Sequence, residues 1–366
     1  MFTLAHLSDI HLSPMPKLKK RELLGRRMLG FINWQRRKQF HQRAVLDLLT
    51  ADLRAQSPDH IAVTGDLINI GAAEEYVQAL AWLESLGPPD RVTVAPGNHD
   101  AYVHSWWENG MDSWACYMDS NAAGQRFNGR LRPEPLDSIR GAPHWPSVGG
   151  VLLRAARVMR SGRLKGSRHA EARFPFVRVV ADGVALIGLS SALPTLPTLA
   201  SGRVGWPQLE RLAASLSALG REGMCRVVLI HHPPLPGMTD WSRALHDADD
   251  LTAVLRRFGA ELVLHGHHHR HTVNWLETSS GVIPIVGAPS ASAAHRVGRK
   301  PAARFNMYRI ERAGERWRVA LTGRALRAEN FAAGAARGLP LFEEVEQAIL
   351  SGETTPLAAG VTSATP

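Results

Sequence analysis

The stretch Val94-Ala95-Pro96-Gly97-Asn98-His99-Asp100 sets the reading of the whole chain. Val92 and Val94 make a short apolar run of the kind that forms a buried strand. Pro96-Gly97 turns the chain sharply. An amide, an imidazole and a carboxylate (Asn98, His99 and Asp100) follow at the carboxyl end of that strand, where open α/β sheets keep their sites. Four other segments have the same design. Leu4–Ser8 runs into Asp9-Ile10-His11, and Ile61–Thr64 into Gly65-Asp66. Arg226–Ile230 runs into His231-His232-Pro233-Pro234, and Leu262–Leu264 into His265-Gly266-His267-His268-His269. Each run stops on a side chain able to bind a metal ion. Asp9 and His11 are two apart in an extended segment, which points both side chains the same way. Five such strand ends in one chain imply a shared site rather than five unrelated polar turns.

Between these ends the pattern alternates. Residues 41–56 (Ala44, Val45, Leu48, Leu49, Leu53) and 73–86 (Tyr76, Val77, Leu80, Leu83, Leu86) repeat at helical period. Pro207 opens a helix that Gly220 ends, and residues 247–258 form another that Gly259 ends. Phe176–Val180 and Val184–Leu189 flank the hairpin signal Asp182-Gly183. Val282–Val286, Asn306–Ile310 and Trp317–Thr322 read as further strands, the last two joined around Gly314. This rhythm implies parallel pairing with right-handed crossovers. The aromatics of residues 102–118 (Tyr102, Trp106, Trp107, Trp114, Tyr117) read as core of a helical segment before they read as a substrate wall. Leu341, Phe342, Val345 and Ile349 suggest a helical extension over 326–350, and the small polar tail 351–366 reads as disordered.

The length, 366 residues with 45% hydrophobic, suits one large α/β domain with insertions. Two cysteines, Cys116 and Cys225, exclude a disulfide framework and fit a reducing compartment. Neither a signal peptide nor a transmembrane run is visible, so a cytoplasmic protein is expected, with peripheral contact to the inner membrane left open. The net charge of +10 is unevenly placed: residues 17–43 hold ten Lys and Arg against Glu22, and residues 151–173 hold seven against Glu171. The remainder carries −5, so the basicity belongs to two insertions and calls for an anionic partner or substrate. Leu24, Met28, Phe31 and Ile32 fall at helical spacing inside residues 17–39. Two readings weigh equally there. One is a basic amphipathic helix that lies on an anionic membrane or caps a lipid-tailed substrate. The other is a surface helix packed on the domain with solvated charges. Nucleic acid also fits the charge and ranks behind both. Arg154, Arg157 and Arg160 step by three along a short helix and read as a solvated face.

In chain order the strand ends spell D-x-H (Asp9, His11), G-D (Gly65, Asp66), G-N-H-D (Gly97 to Asp100), H (His231) and G-H-x-H (Gly266, His267, His269). This ordered set resembles the calcineurin-like metallophosphoesterase superfamily over about residues 2–325. Ser8 and Leu12 around the first motif, with His231-His232-Pro233-Pro234, look most like its bacterial class III cyclic-nucleotide phosphodiesterase branch. The resemblance implies a four-layer α/β/β/α sandwich over residues 1–325, with a basic helical insertion at about 15–40 and an irregular cap at 119–172. It implies two transition metal ions, Mn, Fe or Zn, on mixed nitrogen and oxygen ligands. One ion takes Asp9, His11, Asp66 and His269; the other takes Asp66, Asn98, His231 and His267, with Asp66 shared. Two ions about 3.5–4 Å apart hold a hydroxide that attacks phosphorus in line with the leaving oxygen, so an anionic phosphodiester or pyrophosphate is cleaved with no covalent enzyme intermediate. His99 then stabilises the phosphoryl charge or protonates the leaving group, and Asp100 orients His99. His232, His265 and His268 stay outside the ligand set.

Three alternatives accompany this reading. UDP-2,3-diacylglucosamine-type lipid pyrophosphatases, acting at a membrane surface, look similar but typically carry Arg where this chain has His99. A DNA nuclease also uses G-N-H-D but usually adds a separate capping domain, for which the 97 residues after His269 leave little room. A non-catalytic metal-binding scaffold is opposed by the complete ligand set.

Overall fold

The computed structural model describes residues 1–23, 26–103, 110–128, 173–195, 199–327 and 342–351. Short apolar runs become the parallel strands β1 (Phe2–Leu7), β2 (His60–Val63) and β3 (Val92–Val94). β10 (Arg304–Ala313) pairs antiparallel with β1, and β11 (Arg316–Leu326) and β12 (Phe342–Ser351) continue that sheet in the order β12-β11-β10-β1-β2-β3. The second sheet runs β4-β5-β6-β7-β9-β8, from β4 (Phe176–Ala181), β5 (Val184–Gly188), β6 (Cys225–Leu229), β7 (Leu262–His265), β8 (Thr272–Thr278) and β9 (Gly281–Gly287). Its four central strands are parallel and its two edges antiparallel.

Three apolar layers join the sheets and helices. Leu4, Leu186, Val227, Leu264 and Tyr308 fill the space between the sheets. The helices α2 (Arg43–Ala55) and α3 (Ala73–Leu86) press Leu46, Leu49, Tyr76 and Leu83 onto the first sheet. On the second sheet, α4 (Trp206–Arg221) and α5 (Ala248–Phe258) bury Leu209, Leu212, Leu216, Leu251 and Leu255. Burying one leucine is worth about 1.5–3 kcal/mol. The four fully buried leucines of α4 (Leu209, Leu212, Leu216, Leu219) therefore outweigh any gain from helix propensity. The result is the α/β/β/α sandwich expected from the sequence. The aromatics of residues 110–118 are core: Trp114 Nε1 donates to the Tyr76 carbonyl at 3.0 Å, and the Tyr117 hydroxyl to that of Gly87 at 3.1 Å.

One expectation is corrected and one strand is new. The stretch 326–350, read as a helical extension, ends in the strand β12, with Val345 and Ile349 exposed. Its backbone hydrogen bonds are made with β11. Glu346 meets His271 at 2.7 Å and pairs with Arg304, so tertiary contacts override the helical spacing. β8 was not anticipated either; Thr272–Thr278 follows the last histidine cluster directly and pairs antiparallel with β9. Trp106, Trp107, the greater part of the expected cap (residues 129–172) and the tail 352–366 lie outside the described residues.

The basic insertion is helical, as expected: α1 (Arg26–Arg37) follows a short turn at Lys20–Leu23. Its apolar residues do not share one face. Phe31 and Trp34 pack toward Met15, Ile70 and Tyr102. Gly30 lets the helix sit close, since a Cβ there would lie 2.6 Å from the Tyr102 hydroxyl. Met28, Leu29 and Ile32 face outward with 53, 44 and 43% exposure. Leu24 lies outside the described residues.

Candidate metal centre

The carboxyl ends of β1, β2, β3, β6 and β7 meet at one place, where both sheets present the ends of parallel strands. The pairing of β1 with β2 continues past the strands: Asp9 N donates to the Gly65 carbonyl (3.0 Å), His11 N to that of Asp66 (2.9 Å) and Leu12 N to that of Leu67 (2.9 Å). These bonds hold the backbone in a shape that side chains ordinarily avoid. Among the described residues, six non-glycine positions have positive φ, and five of them are Asp9, His11, Asp66, His267 and His269. Left-handed backbone costs an L-residue roughly 1–2 kcal/mol. It persists where the surroundings over-determine it, and such positions cluster at functional sites.

The structure brings together all seven side chains singled out as ligands. His269 Nε2 lies 3.2 Å from Asp9 Oδ1 and 3.4 Å from His11 Nε2. His11 Nε2 is 3.8 Å from Asp66 Oδ2. That same oxygen is 3.3 Å from His231 Nε2, which lies 3.2 Å from both Asn98 Oδ1 and His267 Nδ1. Asp66 therefore stands between a group formed by Asp9, His11 and His269 and a group formed by Asn98, His231 and His267. All seven but His267 are buried.

Burial raises the Asp66 carboxyl pKa, but His231 and His99 outweigh it and hold the group below its usual range. Burial likewise opposes a charged His231, yet the Asp66 carboxylate and then Asp9 lift that imidazole to about 9. His11 and His267 go the other way: burial and then neighbouring imidazoles hold both well below 6.5. His11 and His267 thus keep lone pairs within this cluster, where His11 Nε2 faces His269 Nε2 at 3.4 Å and His267 Nδ1 faces His231 Nε2 at 3.2 Å. Inward-facing nitrogen and oxygen donors of this kind fit cations placed between them.

Glycines make the close approach feasible. A Cβ on Gly266 would lie 1.7 Å from Ser8 Oγ and 2.7 Å from Asp9 Oδ2. This is why the fifth strand end reads G-H-x-H: the turn before His267 rides directly over Asp9.

The role expected for Asp100 is corrected. Its carboxylate accepts from the backbone N–H groups of Gly97 (2.9 Å), Asp66 (2.9 Å), Leu67 (2.8 Å) and Ile68 (3.2 Å). Four N–H donors converge on it from the Asp66 turn and its own, so it fastens the two ligand-bearing turns together and does not reach the His99 ring. His99 is oriented instead by the Asn69 carbonyl, 2.5 Å from Nδ1, and stacks on Tyr102 at 5.8 Å. Its backbone N–H donates to Asp66 Oδ1 at 2.8 Å.

Sequence reading missed the support for Asn69. Glu75 sits in the first turn of α3, where an acidic residue is ordinary, yet its carboxylate is buried and accepts from the N–H groups of Asn69, Ile70 and Ala72. It also missed His41, described below. The histidines left outside the ligand set are accounted for in part. His232 has both ring nitrogens engaged, Nδ1 with Ser191 Oγ at 2.7 Å and Nε2 with the Ala200 carbonyl at 3.0 Å. His265 Nδ1 meets the Gly266 carbonyl at 3.1 Å.

Residues 2–271 match the calcineurin-like phosphoesterase family. No curated protein matches the chain in sequence. Among solved structures, a dimetal phosphatase from Danio rerio is similar in fold, with a TM-score of 0.51 and 14% identity over 96% of this chain and 98% of that one. A sulfate thiohydrolase from Thermus thermophilus has a TM-score of 0.43 and 15% identity over 87% of this chain and 55% of that one. A purple acid phosphatase from yellow lupin (Lupinus luteus) seeds has a TM-score of 0.43 and 12% identity over 88% of this chain and 51% of that one. The match over most of the sequence, the shared fold and the convergent Asp and His groups lead to one conclusion: the chain belongs to the calcineurin-like phosphoesterase family and is a metal-dependent phosphoric ester hydrolase.

Proposed function

We propose that this chain hydrolyses a phosphodiester or pyrophosphate bond with two transition metal ions (manganese, iron or zinc), one on Asp9, His11, Asp66 and His269 and the other on Asp66, Asn98, His231 and His267. The observation that carries this reading is the place of Asp66, whose Oδ2 faces His231 at 3.3 Å and His11 at 3.8 Å and so serves both groups. Donors of nitrogen and oxygen without thiolate favour these metals over calcium or magnesium. When bound, the ions supply neutralising charge for a phosphoryl group and a water acidic enough to attack it. Arg37 and Lys300 bring further positive charge to this pocket, acting on His41 after the larger effects of burial and His269. That charge suits an anionic ester.

His99 is the residue for the leaving group. The Asn69 carbonyl only accepts, so His99 Nδ1 carries the hydrogen of their bond. Neutral His99 therefore presents a lone pair at Nε2, and it donates only after taking a second proton. Burial opposes that proton, while the Asp66 carboxylate and the Asn69 carbonyl favour it. A bound phosphoester anion adds to the favouring side. His99→Ala is expected to lower turnover of a dialkyl phosphodiester about 100-fold and to affect bis(p-nitrophenyl) phosphate much less, since that leaving group needs no proton. Equal losses on both would remove His99 from proton transfer. Metal-loaded wild-type protein that cleaved neither phosphodiesters nor diphosphates would overturn the reading as a whole.

The substrate class supported first is a soluble phosphodiester of the cyclic-nucleotide type, on the strength of Ser8-Asp9-x-His11-Leu12 and His231-His232-Pro233-Pro234. One observation favours a second reading, a lipid-linked diphosphate at an anionic membrane surface: Met28, Leu29 and Ile32 lie exposed on a helix whose last turn carries Arg36 and Arg37. No helix among the described residues is long and apolar enough to cross a membrane. We place the protein in the cytoplasm, where the free thiols of Cys116 and Cys225 suit a reducing environment. Under the lipid reading it sediments with anionic but not neutral vesicles, high salt releases it, and Met28→Glu with Ile32→Glu abolishes sedimentation. Sedimentation indifferent to lipid charge or to both substitutions leaves only the soluble substrate.

A further inference from the structure

His41 belongs to none of the five strand-end motifs. It closes the basic insertion, four residues after the end of α1. Backbone pairing fixes it on both sides: Gln42 N donates to the Ser292 carbonyl (2.9 Å), and Ala294 N to the Phe40 carbonyl (2.8 Å). The Phe40 ring stands edge-on to the imidazole at 4.7 Å, and His41 is only 4% exposed. One face of the ring is thus packed and its backbone is held as firmly as a strand.

A hydrogen-bond chain then favours the proton on Nδ1. Ser290 Oγ donates to the Asp9 carbonyl at 2.7 Å, which can only accept. Toward Ser292 Oγ, 3.3 Å away, Ser290 Oγ must therefore accept. Ser292 gives its hydrogen to Ser290 and so accepts from His41 Nδ1, 2.9 Å away. Ser290 Oγ also lies 3.3 Å from His41 Nδ1 and accepts from Ser292 N at 3.4 Å; the order His41 Nδ1–H to Ser292 to Ser290 to the Asp9 carbonyl supplies a hydrogen to each of these contacts. It leaves His41 Nε2 with a bare lone pair. That nitrogen is buried without a hydrogen-bond partner. The ligand atoms offered by His11, His41 and His269 all lie within 4.8 Å of one another. The ring centroid of His41 is 4.5 Å from that of His11 and 5.5 Å from that of His269.

A neutral imidazole whose far nitrogen is held by a hydroxyl and whose near nitrogen is free is the form that binds a metal ion. We propose that His41 is an eighth protein donor of this centre, adding Nε2 to the metal position of His11 and His269. The inference rests on the ligand reading above and goes beyond the motif set. It makes that position rich in imidazole, which biases it toward iron, cobalt or zinc and away from magnesium. It also gives the insertion a structural part in the centre, because the segment that carries α1 delivers the ligand.

The test is a cobalt(II) titration of the full-length, metal-free protein, followed by visible absorption and by metal content after dialysis. Wild type is expected to take two equivalents. His41→Ala is expected to take one equivalent with unchanged affinity and the other about tenfold or more weaker, with a changed visible band for the weakened site. His41→Gln fills the space beside Phe40 and is expected to give the same pattern. Ser292→Ala keeps the imidazole but removes the hydroxyl that orients it, and is expected to weaken the same equivalent to a smaller degree. This variant carries the test alone if neither His41 variant folds by circular dichroism. His269→Ala separates the two readings. If it loses an equivalent while the His41 and Ser292 variants match wild type in affinity and spectrum, this inference falls and the ligand reading stands. If wild type itself takes up no cobalt, the ligand reading falls first.

Discussion

Asp66→Asn is expected to fold, to bind neither metal ion tightly, and to lose phosphodiester hydrolysis by more than about 100-fold, the upper end of what removing a residue behind a ligand costs. The expectation comes from position. Asp66 is 2% exposed and its Oδ2 faces His231 at 3.3 Å and His11 at 3.8 Å, so one side chain serves both groups. Asparagine keeps the volume, and its amide oxygen can still accept the His99 N–H that Oδ1 accepts now at 2.8 Å. What it removes is the charge. Without metal, that removal relieves repulsion from Asp9 and Asp100 but gives up the larger attraction of His231 and His99, which holds the carboxyl below its usual range. At neutral pH the metal-free variant should therefore melt at or below the metal-free wild type. With manganese or zinc added at a hundredfold over its dissociation constant, each occupied site should stabilise the wild type by about 2.7 kcal/mol, and the variant should gain almost nothing. Thermal melts with and without metal, beside metal content after dialysis, decide it. A variant that keeps two equivalents and the full thermal gain would show that Asp66 does not join the two groups.

Gly97→Ala touches no metal and is nevertheless expected to damage the centre almost as severely. A Cβ at this position would lie 2.3 Å from Asp66 Oδ1 and 2.4 Å from Asp66 N. The second contact is to backbone and cannot rotate away. Retreat is closed from the other side, because Gly65 already packs so tightly that a Cβ there would sit 2.4 Å from Gly97 N. Gly97 N and Asp66 N are also both tied to Asp100 Oδ2 at 2.9 Å. The two turns must separate, and the Asp100 hydrogen bonds must stretch with them. Overpacking of this kind costs about 1–3 kcal/mol and sometimes more. The expected outcome is a metal-free protein with a lowered melting temperature and metal affinity reduced at both positions, since the displaced residue is the shared one. If the variant melted like wild type, or lost only one equivalent, the approach of the two turns would not be what places Asp66.

The two predictions also indicate why the site was legible before the fold was seen. Asp9, His11, Asp66, Asn98, His231, His267 and His269 each follow a short apolar run within a few residues, and parallel strands end on one side of a sheet. Strand and ligand are local neighbours, so a local reading finds them. The glycines that permit close approach are written into the same motifs. Helices were equally legible where the apolar period was long and capped, as in α3, whose observed span Ala73–Leu86 is the expected one. Where the pattern was short and one neighbour decided the outcome, the reading failed. Phe342, Val345 and Ile349 fit a helical period, but β11 offered an open edge, and an edge strand lined with Glu343, Glu344 and Glu346 took it. The outward face of α1 could not be told from the inward one, because Met28 and Phe31 are equally apolar and only Met15, Ile70 and Tyr102 select between them.

By itself, then, the sequence determined which strands end on donors and in what order, and through its resemblance to a known family it implied the layered architecture and the proposed ligand set. The strand ends follow from backbone preferences and side-chain period over a few residues. Only the tertiary structure decided that Asp66 stands between two groups, that Asp100 binds backbone while Asn69 orients His99, and that the His41 ring lies beside His11 and His269. Each of these depends on contacts between distant positions: His99 with Asn69 across 30 residues, and His41 with Ser292 across 251. Such hydrogen bonds leave no local signature, because the partner's carbonyl or hydroxyl is the same whatever the residues around it. Their direction becomes readable once packing has brought the two ends within reach of one proton.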